Sequence, residues 1–221
     1  PGVLTTAACG PRGEPAFAYE GAILTAGAAI QWLRDGLGII DRASDSEAMA
    51  RSIASTEGLS FVPALTGLGT PHWEPAARGT IVGISRGTRA EHLVRATLEA
   101  MAYSTAEVLE TMAAGSGMEL LSLRADGGAT RNEWLMQFQA DLLGVPVRRP
   151  EAAELTAIGA AGLAGLGAGV WTDPERFLAA RGEESTFAPD PTGAQVAREG
   201  MREWKRAVRA AVGWARDEDR P

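Results

Sequence analysis

Of the 221 residues, the stretch from Leu121 to Leu143 limits the fold most sharply. Leu121 to Ala125 has the character of a strand and ends in Asp126-Gly127-Gly128. Thr130 and Glu133 then stand at capping-box spacing and open a helix to about Leu143. A strand that turns through glycines straight into a helix is an α/β unit.

The other segments fit around it. The clearest helix covers Ala90 to Met112, because Val94, Leu98, Met101, Thr105, Val108 and Met112 alternate at spacings of four and three, which buries one face. Helices are also expected over Thr25 to Asp35, Ser44 to Ser52, Glu175 to Ala180 and Ala194 to Arg216, and from Leu155 onward, where an alanine- and glycine-rich run reads as buried. Short apolar or strand-like runs are Phe61 to Leu65, Thr80 to Ile84 and Val145 to Val147, and a glycine- and proline-rich loop spans Thr66 to Arg78. No internal repeat or long linker divides the chain, so one α/β domain over residues 1–221 is the simplest organisation.

Composition narrows the functions. A formal charge of -7 and a pI near 5.0 argue against a nucleic-acid or anionic-membrane surface. The basic residues of the last helix, among them Arg202, Lys205 and Arg209, alternate with Glu199 and Glu203 as on a solvated face. The most apolar stretch, Leu155 to Trp171, is too short and too glycine-broken for a membrane span. One cysteine, Cys9, and two histidines, His72 and His92, make an internal disulfide impossible and a zinc site implausible, which fits a reducing, cytoplasmic setting. Pro1-Gly2-Val3 has neither an initiator methionine nor a helix start, as if the chain were cut from something longer.

Two pairs of residues suggest a ligand site. Gly27 lies in a helix-like run where glycine costs roughly 1 kcal/mol relative to alanine, and Gln31 follows four residues on, one turn away on the same face. Gly128 and Asn132 repeat that spacing, just after Asp126 and Gly127. A gap beside an amide suits the edge of a planar base, and free N–H groups at a helix start suit phosphate. Close helix packing at Gly27 and an ordinary tight turn at Asp126 explain the same residues, and both readings stay open here. The loop Thr66 to Pro75 holds Gly67 and Gly69 but no Walker A motif. His72 lacks a nameable orienting partner, so neither it nor Glu74 is assigned acid-base work.

The segment Gly79-Thr80-Ile81-Val82-Gly83-Ile84, followed after seven residues by His92-Leu93-Val94-Arg95-Ala96-Thr97-Leu98-Glu99, resembles a signature of the carbohydrate kinases that act on glycerol, xylulose, gluconate or fuculose. Phe61 to Trp73 and Leu135 to Asp141 are more similar to the glycerol-phosphorylating branch, as are Ala22 to Asp35 and Thr156 to Gly165. This resemblance implies an actin-like, ribonuclease-H-like α/β fold with a mixed sheet flanked by helices. It implies that residues 1–221 form the C-terminal, nucleotide-binding domain of a two-domain enzyme using ATP and Mg²⁺, with glycerol held by an N-terminal domain outside this sequence.

On the same ground Gly27, Gln31, Gly128 and Asn132 are expected to line ATP or ADP, with Asp126 and Gly127 as weaker carry-overs. No catalytic or metal-binding residue is expected in this chain. The full enzyme is expected to be a homo-oligomer without nucleic-acid partners. Two rivals are a kinase for another polyol or a pentose, and a stand-alone module that binds nucleotide or partners without chemistry.

Overall fold

The computed structural model describes residues 2–151, 155–179 and 184–217. Strands β1 (Leu4–Cys9) and β2 (Pro15–Glu20) form an antiparallel hairpin, with Leu4 opposite Glu20. Helices α1 (Gly27–Asp35) and α2 (Asp45–Arg51) come next. Strands β3 (Ser60–Val62) and β4 (Thr80–Val82) pair antiparallel. Helix α3 (Ala90–Ser116) leads to β5 (Leu123–Arg124), a 3-10 turn at Gly128–Arg131 and α4 (Glu133–Leu143). After β6 (Val147–Pro150) come α5 (Leu155–Gly167), α6 (Pro174–Ala179), β7 (Glu184–Phe187) and α7 (Pro191–Ala215).

The expected strand, turn and helix unit is present, since β5 runs parallel to β6 and α4 connects them. Strand β7 adds antiparallel to β6, which makes the sheet mixed. The capping box expected from Thr130 and Glu133 does not form. Asn132, not Thr130, is the N-cap of α4, and the Thr130 hydroxyl donates back to the Gly127 carbonyl inside the 3-10 turn. Gly144, in the left-handed region at φ 70°, closes α4.

The core lies where α3, α4 and α7 pack against β3. Val94, Leu98, Met101 and Val108 are buried on α3 as their spacing predicts, and the helix continues past Met112 to Ser116. Tyr103 packs edge-on to Phe138 with centroids 5.6 Å apart, and it lies 5.7 Å from Trp204. The Trp204 indole donates to the Phe61 carbonyl at 3.0 Å and so ties α7 to β3.

Other elements depart from expectation for local reasons. Helix α7 starts at Pro191 rather than Ala194, because Asp190 caps it by accepting from Thr192 N–H at 2.9 Å and proline suits the first helical position. Helix α5 is not buried: of Leu155–Gly167 only Gly162 is, and its missing side chain leaves room for the ring of Phe177. Strands β1, β2 and β7 lacked a clear alternation and were not expected. The expected end of the α6 helix at Ala180 lies outside the described residues. Among the described residues no helix is long and apolar enough to cross a membrane.

Candidate functional site

Helices α1, α2 and α3 and the turn before α4 enclose a cleft of about 530 Å³. Four of the six residues expected to form a site line it together: Gly27 and Gln31 from α1, Gly128 from the 3-10 turn and Asn132 from the start of α4. Its floor is apolar, made by Ile30, Leu98, Met101 and Leu135, all buried. Its polar lining includes Ser44, Ser46, Glu47 and Arg131, with Ser46 buried. An apolar floor with a few convergent polar groups suits a flat ring bearing a polar tail.

The two glycines that face this cleft are small for the sake of neither the backbone nor the packing. A Cβ built on Gly27 or on Gly128 would meet no heavy atom within 4 Å, and neither residue has the positive φ that favours glycine. Close helix packing at Gly27 is thereby ruled out. Gly27 is also the first residue of α1 rather than an interior one, so the expected cost of a mid-helix glycine does not apply.

Gly127 is different. Its φ of 88° puts the turn in the left-handed region, where glycine avoids a steric penalty. Gly127 and Asp126 precede the cleft and do not line it, and Asp126 is exposed.

The free helix start expected at α4 is found at α1. In α4 the Glu133 N–H donates to Glu47 Oε2 at 3.0 Å and the Leu135 N–H to Asn132 Oδ1 at 2.9 Å, so side chains already occupy that terminus. Helix α1 begins after Ala26 with no side-chain cap, and its first residue is Gly27 on the cleft wall. Its first N–H groups are the ones placed to meet an anion.

Ser46 and Glu47 were not singled out from sequence. Ser44-Asp45-Ser46-Glu47 is an ordinary helix-opening composition, and nothing local shows that two of its members reach across to α4, 86 residues later. A signal existed only in three dimensions.

Elsewhere, His72 does have a partner: its Nε2 lies 2.8 Å from Glu107 Oε2 on α3, a contact between residues 35 apart that sequence spacing cannot reveal. A second crevice of about 410 Å³ is lined partly by Arg95, Glu99 and Tyr103. There Arg95 Nε donates to Glu99 at 2.9 Å and Tyr103 donates to the same carboxylate at 3.2 Å. Burial pushes the Glu99 carboxyl above its ordinary range, against the opposing pull of Arg95. These groups satisfy one another and hold structure. Among the described residues no group of three or more His, Cys, Asp or Glu could hold a metal ion.

The model of the FGGY family of carbohydrate kinases, C-terminal domain, matches residues 1–168. A glycerol kinase of Pasteurella multocida is 50% identical over 218 residues, which cover 99% of this chain and 43% of the relative. A glycerol kinase of Vibrio cholerae is 51% identical over 214 residues, covering 97% and 42%. The crystal structure of Plasmodium falciparum glycerol kinase with ADP superposes with a TM-score of 0.82 at 32% identity, covering 95% of this chain and 42% of that one. The chain thus spans less than half the length of these relatives, and its fold is the actin-like α/β fold of such kinases.

Proposed function

Since the chain belongs to the FGGY family of carbohydrate kinases, we propose that it is the nucleotide-binding half of a glycerol kinase, which moves the γ-phosphate of ATP onto glycerol to give sn-glycerol 3-phosphate. The observation that carries the nucleotide reading is the pair Gly27 and Gly128, which line one cleft together with the Gln31 and Asn132 amides, with no side chain among the described residues filling the space before either glycine. Glycerol as the acceptor rests on the identity of about 50% to glycerol kinases.

In this reading the base lies over Ile30, Leu98, Met101 and Leu135, within reach of the Gln31 and Asn132 amides. The phosphates run toward the uncapped start of α1, where backbone N–H groups meet negative charge. Asp126 and Gly127 shape the turn that presents Gly128. Phosphoryl transfer depends mostly on positioning and charge stabilisation, and this half contributes the positioning of ATP. Mg²⁺ is expected with ATP in the intact enzyme, and no step through that ion is assigned to the described residues. The acceptor and the base that activates it belong to an N-terminal half. A cytoplasmic, homo-oligomeric enzyme completes the reading.

Phosphorylation assays with glycerol, xylulose and gluconate test it. The isolated 221-residue chain is expected to phosphorylate none of them. A polypeptide joining it to a complete N-terminal kinase half is expected to phosphorylate glycerol. Turnover of glycerol by the isolated chain, or a preference of the joined protein for a sugar, would sink the proposal.

A further inference from the structure

We propose that Gly69 and Thr70 are positioning residues that hold the start of α1 in place for phosphate, an inference that rests on the nucleotide reading above. The loop from Thr66 to Pro75 carries a Gly-x-Gly without the lysine and hydroxyl of a phosphate loop, and neither of its glycines lines the cleft. Gly69 instead meets the chain that enters α1: a Cβ built on it would lie 2.1 Å from the Ala22 carbonyl oxygen. The next residue grips the same point twice. The Thr70 N–H donates to the Ala22 carbonyl at 2.9 Å, and the Ala22 N–H donates to Thr70 Oγ1 at 3.0 Å, with Thr70 only 7% exposed. Ala26, the residue before α1, follows Ala22 by a single short segment.

The loop is the firm side of this contact. Leu68 and Glu74 exchange backbone hydrogen bonds at 2.9 Å, His72 meets Glu107 of α3 at 2.8 Å, and Arg216 donates to Glu74 at 2.7 Å. On the entering segment, Gly21 lies so close to α3 that an added Cβ would be 2.3 Å from Val108 Cγ1. The body of α1 is fixed by Ala29, Ile30 and Leu33, which are buried, but its first turn has no side-chain cap. That turn takes its position from the segment leading into it, and the segment is held at Ala22 by Gly69 and Thr70. In the nucleotide reading the N–H groups of this turn meet the phosphates, so the loop acts on the phosphates and not on the base.

The test is titration of ADP and of adenosine into the 221-residue chain and into its Gly69→Ala, Thr70→Val and Thr70→Ser variants, with thermal melts to establish folding. Gly69→Ala and Thr70→Val are expected to bind ADP about fivefold more weakly, the scale of an anion at a helix start, and adenosine as the unaltered chain does. Thr70→Ser keeps the acceptor for the Ala22 N–H and is expected to keep the affinity for ADP. Residues with only a structural role would weaken ADP and adenosine alike, so an unchanged ratio of the two in the folded Gly69→Ala and Thr70→Val variants overturns the proposal. A Thr70→Ser variant that loses ADP as Thr70→Val does overturns it too, as does failure of both Gly69→Ala and Thr70→Val to fold. Absence of ADP binding by the unaltered chain would instead refute the nucleotide reading, and the proposal with it.

Discussion

The Glu47 carboxylate accepts the Glu133 backbone N–H at 3.0 Å, so a side chain of α2 caps the first residue of α4 across 86 positions of sequence. Glu47 also holds Arg51 one turn on at 2.9 Å, which fixes the carboxylate in place. A negative group at a helix N-terminus is favourable to the helix dipole as well as to the orphan N–H. Glu47→Ala is expected to cost about 1 kcal/mol in urea unfolding, as for other lost caps. It should also loosen the wall that Ser46 and Glu47 give to the cleft.

At the other end of α2, Arg95 donates to the carbonyls of Ala50 and Ile53 while it pairs with Glu99. The guanidinium also lies 5.0 Å from the Trp134 ring centroid. Removing it takes a donor from the Ala50 and Ile53 carbonyls and leaves the buried Glu99 carboxylate with only the Tyr103 hydroxyl, so Arg95→Leu is expected to destabilise the chain by about 3 kcal/mol or more. The loss should shrink on acidification. Burial already raises the Glu99 carboxyl in the folded chain, and loss of Arg95 raises it further. The folded state then binds a proton more readily than the unfolded one, and stability recovers as pH falls through the raised value toward the ordinary carboxylate range. Urea midpoints of variant and parent across that window measure the difference, which should narrow at low pH.

Trp204 offers a cleaner packing test. Its indole N–H is the donor to the Phe61 carbonyl at 3.0 Å in a site where the indole is 2% exposed. Trp204→Phe keeps much of the ring contact with Tyr103 but removes that donor from the Phe61 carbonyl, at an expected cost of about 1–3 kcal/mol. Guanidinium or urea melts of the two proteins, compared at equal slope, give the value.

The long periodic helix and the strand, turn and helix unit were legible in sequence because period and glycine placement are local properties. The hairpin β1–β2 was not, since nearly all its residues are exposed and no buried face imposes alternation. Helix α5 misled for the opposite reason: it is apolar throughout, yet the described chain covers only Gly162. The pairs Gly27 with Gln31 and Gly128 with Asn132 do meet in one cleft, although by different local geometry. The first pair spans a turn of α1, and the second spans a 3-10 turn ending in a cap. Ser46 stayed hidden because its meaning depends on a partner from another helix. The same holds for His72 and Glu107.

The central claim is that the space in front of Gly27 and Gly128 is for a nucleotide. Titration of ADP into the 221-residue chain, beside its Gly27→Val and Gly128→Val variants, tests it most directly, because a Cβ added at either position meets no heavy atom of another described segment within 4 Å. The account predicts saturable binding by the unaltered chain. In each variant it predicts at least about a tenfold loss, or roughly 1.4 kcal/mol, with little change in the thermal midpoint. Unchanged affinity in both folded variants would contradict it.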